Sequence, residues 1–156
     1  MRALLSFFLA VGLASCVLAA EITGPQPTLP QTPLTLQTVN GPVQFTVEMA
    51  TSWPQQERGL MFRKSLAPNA GMLFDFVKES NQNFWMKNTL IPLDMLFIAA
   101  DGTIKHIHAN AVPKSEETIP SGGHAVRCVL EINGGSAKLL GIKPGDKVKH
   151  KIFGNA

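Results

Sequence analysis

The chain has 156 residues, 45% of them hydrophobic and 16% charged, with 13 glycines, 11 prolines and no tyrosine, a length that makes one domain rather than two. The hydrophobic share excludes a disordered chain, and the confinement of the only uninterrupted apolar stretch to the extreme N-terminus excludes a polytopic membrane protein. A formal net charge of +3 is too mild to imply a nucleic-acid partner.

Residues 1–20 place Arg2 before an apolar run from Ala3 to Leu13 and end in small residues through Ala19 and Ala20. That is the layout of a secretory signal peptide, with a core too short to cross a bilayer comfortably, so the domain is expected to be exported to the periplasm. A buried N-terminal helix is the alternative, and the absence of a polar face speaks against it. Two processing sites compete. Val17-Leu18-Ala19 suits ordinary cleavage, whereas Leu13-Ala14-Ser15-Cys16 has the form of a bacterial lipobox that would leave Cys16 as a lipidated first residue. Membrane contact is expected only through the signal or that anchor. Loss of these twenty residues removes one of the 14 Lys+Arg and none of the 11 Asp+Glu, leaving a net charge of +2. Cys128 is then the only cysteine, so no internal disulfide can form and an exported domain must rely on its core.

Residues 21–41 read as a proline-rich tether. Positions 23–33 carry four prolines and no charge, a composition that favours a semi-extended segment over helix or central strand. With Cys16 lipidated, the stretch from Val17 to Pro33 would hold the domain about 50 Å from the membrane at polyproline spacing. A single globular domain is expected over residues 42–154.

Within it, Val43, Phe45 and Val47 alternate with polar residues as in a half-buried strand. Ser52-Trp53-Pro54-Gln55 forms a capping box with proline in the first turn, predicting a short helix to about Met61. Met72–Val77 and Asn83–Lys87 read as strands, and Leu93–Ala99 and Thr103–Ala109 flank Ala100-Asp101-Gly102, a hairpin signal. Ala125–Ile132 alternates again, with Ala125, Arg127, Val129 and Glu131 on one face and Val126, Cys128, Leu130 and Ile132 on the other. Gly134-Gly135 opens a second short helix through Leu140, with Gly141 as its cap. Lys143-Pro144-Gly145-Asp146 is a turn, and Val148–Phe153 is a last strand. The lysines that cluster there read as a solvated sheet edge. The fold class predicted is α+β, mostly antiparallel β, a curled or barrel-like sheet of about seven strands with two short helices.

The succession Gly59-Leu60-Met61, Gly71-Met72-Leu73-Phe74, Phe84-Trp85-Met86-Lys87-Asn88-Thr89, Pro92-Leu93-Asp94, Leu130-Glu131 and Gly145-Asp146 resembles the bacterial and archaeal domain-of-unknown-function family 192. The likeness runs from residue 44 to about 152. It implies a compact, mostly β domain, often exported, and no activity.

The most informative segment is Phe84 to Asp94, which gathers an indole, an ammonium, an amide and a carboxylate around one strand corner. Glu131 lies mid-strand among apolar residues, where a buried carboxylate needs a partner such as Arg58, Arg63 or Lys87. The ligand-binding candidates are therefore Arg58, Trp85, Lys87, Asn88, Asp94 and Glu131, and Lys87 and Arg58 suit a small anionic or carbohydrate-like ligand. The competing reading is a polar network that merely fixes the corner. Binding is favoured over catalysis, and no cofactor or resident metal is expected. Two alternatives stand beside it. Asp94 and Glu131 could pair as the acid and base of a hydrolase. His106 and His108, about 7 Å apart on one side of a strand, could hold a metal if His124 joined them. Met49, Met61, Met72, Met86 and Met95 could likewise bind reduced copper, though methionine packs cores equally well. Cys128 reads as a buried small hydrophobe.

Overall fold

The computed structural model describes residues 21–156; the expected signal peptide and Cys16 lie outside them. Strands β1 (Gln31–Thr38), β2 (Gly41–Ala50), β3 (Ala70–Ser80), β5 (Leu93–Ile98), β6 (Ile104–Ala111), β8 (Val126–Asn133) and β9 (Lys147–Lys149) form one sheet in the order β6-β5-β8-β3-β2-β1-β9. β4 (Asn83–Phe84) and β7 (Ile119–Pro120) make a separate two-stranded ribbon. The helices are α1 (Trp53–Arg58) and α2 (Ser136–Leu140). Every pairing is antiparallel except that of β2 with β3, because the chain crosses through α1 between them. The sheet curls far enough for Thr103, just before β6, to bridge Lys147 of β9, so its two edges meet at one end. The predicted fold class holds, with a mixed sheet curled into a half-barrel.

Curling gives the sheet an inner and an outer face, each with its own core. Leu34, Leu36, Phe45, Val47, Leu73 and Leu130 belong to the inner one. Met72, Phe74, Met86, Met95, Phe97 and Val129 belong to the outer one. The period-two alternation of the strands sorts them, since one residue steps to the opposite face from the next. α2 buries Ala137 in the inner core, while the crossover through α1 and the β4–β7 ribbon lies over the outer one.

Several expected boundaries differ. Residues 31–38, predicted as tether, form β1, held between β2 and β9. The alternation of Leu34 and Leu36, both fully buried, outweighs the proline content. β9 reaches only Thr35–Gln37, which leaves Pro33 on a stretch without a second neighbour, where a missing N–H is tolerated. Residues 21–30 are also fastened. The buried Gln26 side chain donates to the carbonyls of Gln55 (3.1 Å) and Gly59 (2.9 Å), and the N–H of Leu29 donates to Glu48 Oε2 at 2.8 Å. The first helix stops at Arg58 rather than Met61, because Gly59 turns the chain at φ 47° with Phe74 only 3.2 Å from where a Cβ would stand. The last predicted strand is shortened to Lys147–Lys149, and Lys151–Phe153 form a 3₁₀ turn.

Candidate functional site

β8 decides where the candidate carboxylates stand. In an antiparallel pair, residues directly opposite share a face. Glu131 is opposite Met72 on β3 and Met95 on β5, both in the outer core, whereas Asp94 on β5 is opposite Ile132 of the inner core. The two carboxyls therefore lie on opposite faces of the sheet, and the acid–base pair expected for a hydrolase does not form.

Asp94 is fully buried and has a structural occupation. Its Oδ1 accepts the N–H groups of Asn110 (2.8 Å) and Gly135 (2.9 Å), and its Oδ2 accepts that of Ala137 at 2.8 Å. Three donors, two of them at the start of α2, fix that helix to β5 and β6, and full burial keeps the carboxylate away from any ligand in the cleft. Asn88 is likewise a corner residue. It adopts φ 56°, its carbonyl accepts the N–H of Phe62 at 2.8 Å, and its amide points at Met61 Sδ, 3.9 Å away.

Glu131, by contrast, lines a cleft of about 430 Å³ on the outer face. Its residue is only 5% exposed, and no side chain or backbone N–H among the described residues hydrogen-bonds to its carboxyl. Flanked by Met72 and Met95, it is largely shielded from water without gaining a protein partner, and burial pushes its pKa up to about 8. The walls are aromatic. Phe84 of β4 meets Phe74 at 5.2 Å, Phe76 at 6.2 Å and Phe97 at 6.1 Å between ring centroids, all edge to face. Trp85 is half-exposed beside them, with the Lys87 ammonium 5.2 Å from its ring centroid. α1 contributes the other side through Trp53, Gln56 and the half-buried Arg58. Of the six predicted site residues, Arg58, Trp85 and Glu131 come together here, Lys87 braces Trp85, and Asn88 and Asp94 are elsewhere.

The sequence reading missed Phe74, Phe76 and Phe84 as cleft residues. Phe76 reaches the cleft through a bulge after Asp75, where four residues of β3 stand against Arg127 alone on β8. Val77 in that bulge takes φ 67°, a costly conformation for a β-branched side chain. Asp75 holds it there, accepting the Val77 N–H at 2.9 Å while Arg127 grips both carboxylate oxygens at 3.1 Å. Burial raises the Asp75 pKa, but Arg127 and the Val77 N–H outweigh it and hold the carboxyl below its usual range. Arg127 also donates to the Ile152 carbonyl at 2.8 Å, tying the C-terminal turn to the bulge.

His106 and the five methionines take packed positions. Among the described residues no three His, Cys, Asp or Glu side chains are grouped so as to hold a metal ion. His106 instead stacks at 35° on Phe97, and burial, then the charges of His108 and His124, lower its pKa. Met49 packs in the inner core and Met72, Met86 and Met95 in the outer one, and Met61, in the turn after α1, is also buried. Cys128 is buried, and the loss of water raises its pKa. No described helix is long and apolar enough to cross a membrane.

The family model of domain-of-unknown-function family 192, described as an uncharacterized ACR, matches residues 35–150. No curated protein matches the chain. Solved structures of similar chains include the following two. One, from Sinorhizobium meliloti 1021 and described as a "putative transcription regulator", is 46% identical with a TM-score of 0.78, covering 81% of this chain and 98% of its own. The other, a protein of unknown function from Novosphingobium aromaticivorans DSM 12444, is 43% identical with a TM-score of 0.76, covering 85% of this chain and 94% of its own.

Proposed function

The chain belongs to domain-of-unknown-function family 192, and for this member we propose an exported binding module whose outer-face cleft takes a small carbohydrate-like ligand. The observation that carries the reading is Glu131, a buried carboxyl without a partner on the floor of an aromatic cleft. Buried polar groups are almost always satisfied, and one left open at a cavity wall is a group kept for an occupant. Rings such as Trp85 and Phe84 offer flat apolar surface to a sugar face, and the exposed Asn83 can meet hydroxyls. Of the two ligand classes the sequence suggests, an anion fits the floor less well than a neutral saccharide, because Glu131 offers it no counter-charge. Export rests on the pattern of residues 1–20, with a lipid anchor at Cys16 as the variant form. The regulator description of the Sinorhizobium meliloti protein is not carried over, since a net charge of +3 argues against a nucleic-acid surface.

Binding is favoured over catalysis because Glu131 is the one buried carboxyl that lines the cleft among the described residues. The test is a thermal-shift and calorimetric screen of the protein against oligosaccharides. A ligand at 100 times its Kd should add about 2.7 kcal/mol of stability, and Trp85→Ala should abolish that gain. Silence of every saccharide, or a gain that survives Trp85→Ala, would overturn the reading.

A further inference from the structure

Resting on the saccharide reading of the cleft, we infer that its ligand is an amino sugar whose free ammonium docks on the Glu131 carboxyl. The lining near the floor is short of donors. Leu60, Met61, Phe74 and Phe84 supply none from their side chains, and the buried Thr89 hydroxyl is turned toward the Lys87 carbonyl at 3.4 Å. Met72 and Met95 close both sides of Glu131 within the sheet. The floor thus presents acceptor oxygens and the electron-rich faces of aromatic rings, and no fixed cation. The cationic groups belong to the walls: the half-buried Arg58 lines the α1 side of the cleft, and Lys87 is already engaged by the Trp85 ring at 5.2 Å.

A hydroxyl group on the ligand would satisfy one hydrogen bond and leave the charge question untouched. An ammonium brings three donors and the counter-charge that lets a buried carboxyl ionise, and aromatic walls add attraction for the same cation. The balance is simple. Glu131 enters as a carboxylic acid, the ligand enters as an ammonium ion, and the complex holds an ammonium–carboxylate pair, so one proton leaves for the buffer. No covalent bond changes.

Three β-1,4-linked disaccharides that differ only at carbon 2 test this, those of glucosamine, N-acetylglucosamine and glucose. Titration calorimetry near pH 7 of the full chain, repeated in two buffers of different ionisation enthalpy, measures affinity and proton release together. The glucosamine disaccharide should bind about tenfold more tightly than the other two, the step between a charge-assisted and a neutral hydrogen bond, with release of close to one proton. Glu131→Gln, which keeps shape and removes charge, should bring all three to one affinity. Trp85→Ala should weaken all three alike. Equal binding of glucose and glucosamine disaccharides, or binding without proton release, overturns the amino-sugar inference while leaving the cleft a saccharide site. Binding of none of the three overturns both.

Discussion

Glu131→Gln should make the protein more stable in mild alkali and leave it nearly unchanged in mild acid. In the unfolded chain this carboxyl loses its proton near the ordinary value of 4.5, whereas in the folded protein burial keeps the proton on until about pH 8. Between those values the folded state binds more protons than the unfolded one, so stability falls as pH rises. The interval, at about 1.36 kcal/mol per pH unit, is worth about 3 to 5 kcal/mol, a large part of a small domain's total. Glutamine carries no proton to lose, and every other titrating group is common to the two proteins. Urea unfolding followed by tryptophan fluorescence at pH 5, 6.5 and 8.5 gives the difference directly. It should be near zero at pH 5, grow through neutrality, and level off above pH 8. A difference that stays constant across this range would mean that Glu131 is ionised against a partner throughout, and the argument for an open, uncompensated carboxyl would fail.

Three further outcomes follow from the packing. Asp94→Asn should cost about 2 to 4 kcal/mol in urea unfolding, because an amide cannot accept the three N–H groups that the carboxylate now holds, and it should leave saccharide affinity unchanged. Arg63→Met leaves Glu48 with only the Leu29 N–H as a partner, where its two oxygens now also receive the guanidinium at 3.0 and 2.9 Å; a loss of about 3 kcal/mol is expected, and less than 1 kcal/mol would show the pair to be solvated. Val77→Gly should raise stability by about 1 kcal/mol, since relief of the φ 67° conformation exceeds the entropy cost of glycine; a lower melting temperature would refute the strain.

Local signals in the sequence translated well. Gln55 Oε1 accepts the N–H of Ser52 at 3.1 Å, as the capping pattern requires, and Asp101-Gly102 turns the β5–β6 hairpin with Gly102 at φ 82°. Alternation placed Glu131 opposite in direction to Leu130 and Ile132. What alternation cannot give is which strands become neighbours, and the site depended on that. Asp94 and Glu131 looked like partners in one corner until the β5–β8 register set them on opposite faces. The contribution of Phe76 was hidden for another reason. It depends on a bulge held by Asp75 and Arg127, residues 52 positions apart in the chain, and nothing local to Phe76-Val77 announces a left-handed valine. The fastening of residues 21–30 was concealed by proline content, because the decisive bonds are made by one glutamine side chain with a helix further along.

The pairing of β1 with β9 has a kinetic consequence. Thr35 meets Lys149 and Gln37 meets Lys147, so the sheet closes through one of the longest loops the chain can make, and long-range strand pairing of this kind slows folding. β2 and β3 can assemble with β8 and β5 beforehand, but β1 keeps a bare flank until the strand that follows all the others has arrived. During that interval the species most exposed to intermolecular strand addition is a nearly complete sheet with an open rim. Truncation ahead of Lys147 would make that transient species permanent. It would also withdraw the Ile152 carbonyl from Arg127, so the rim and the bulge behind the cleft would be lost together.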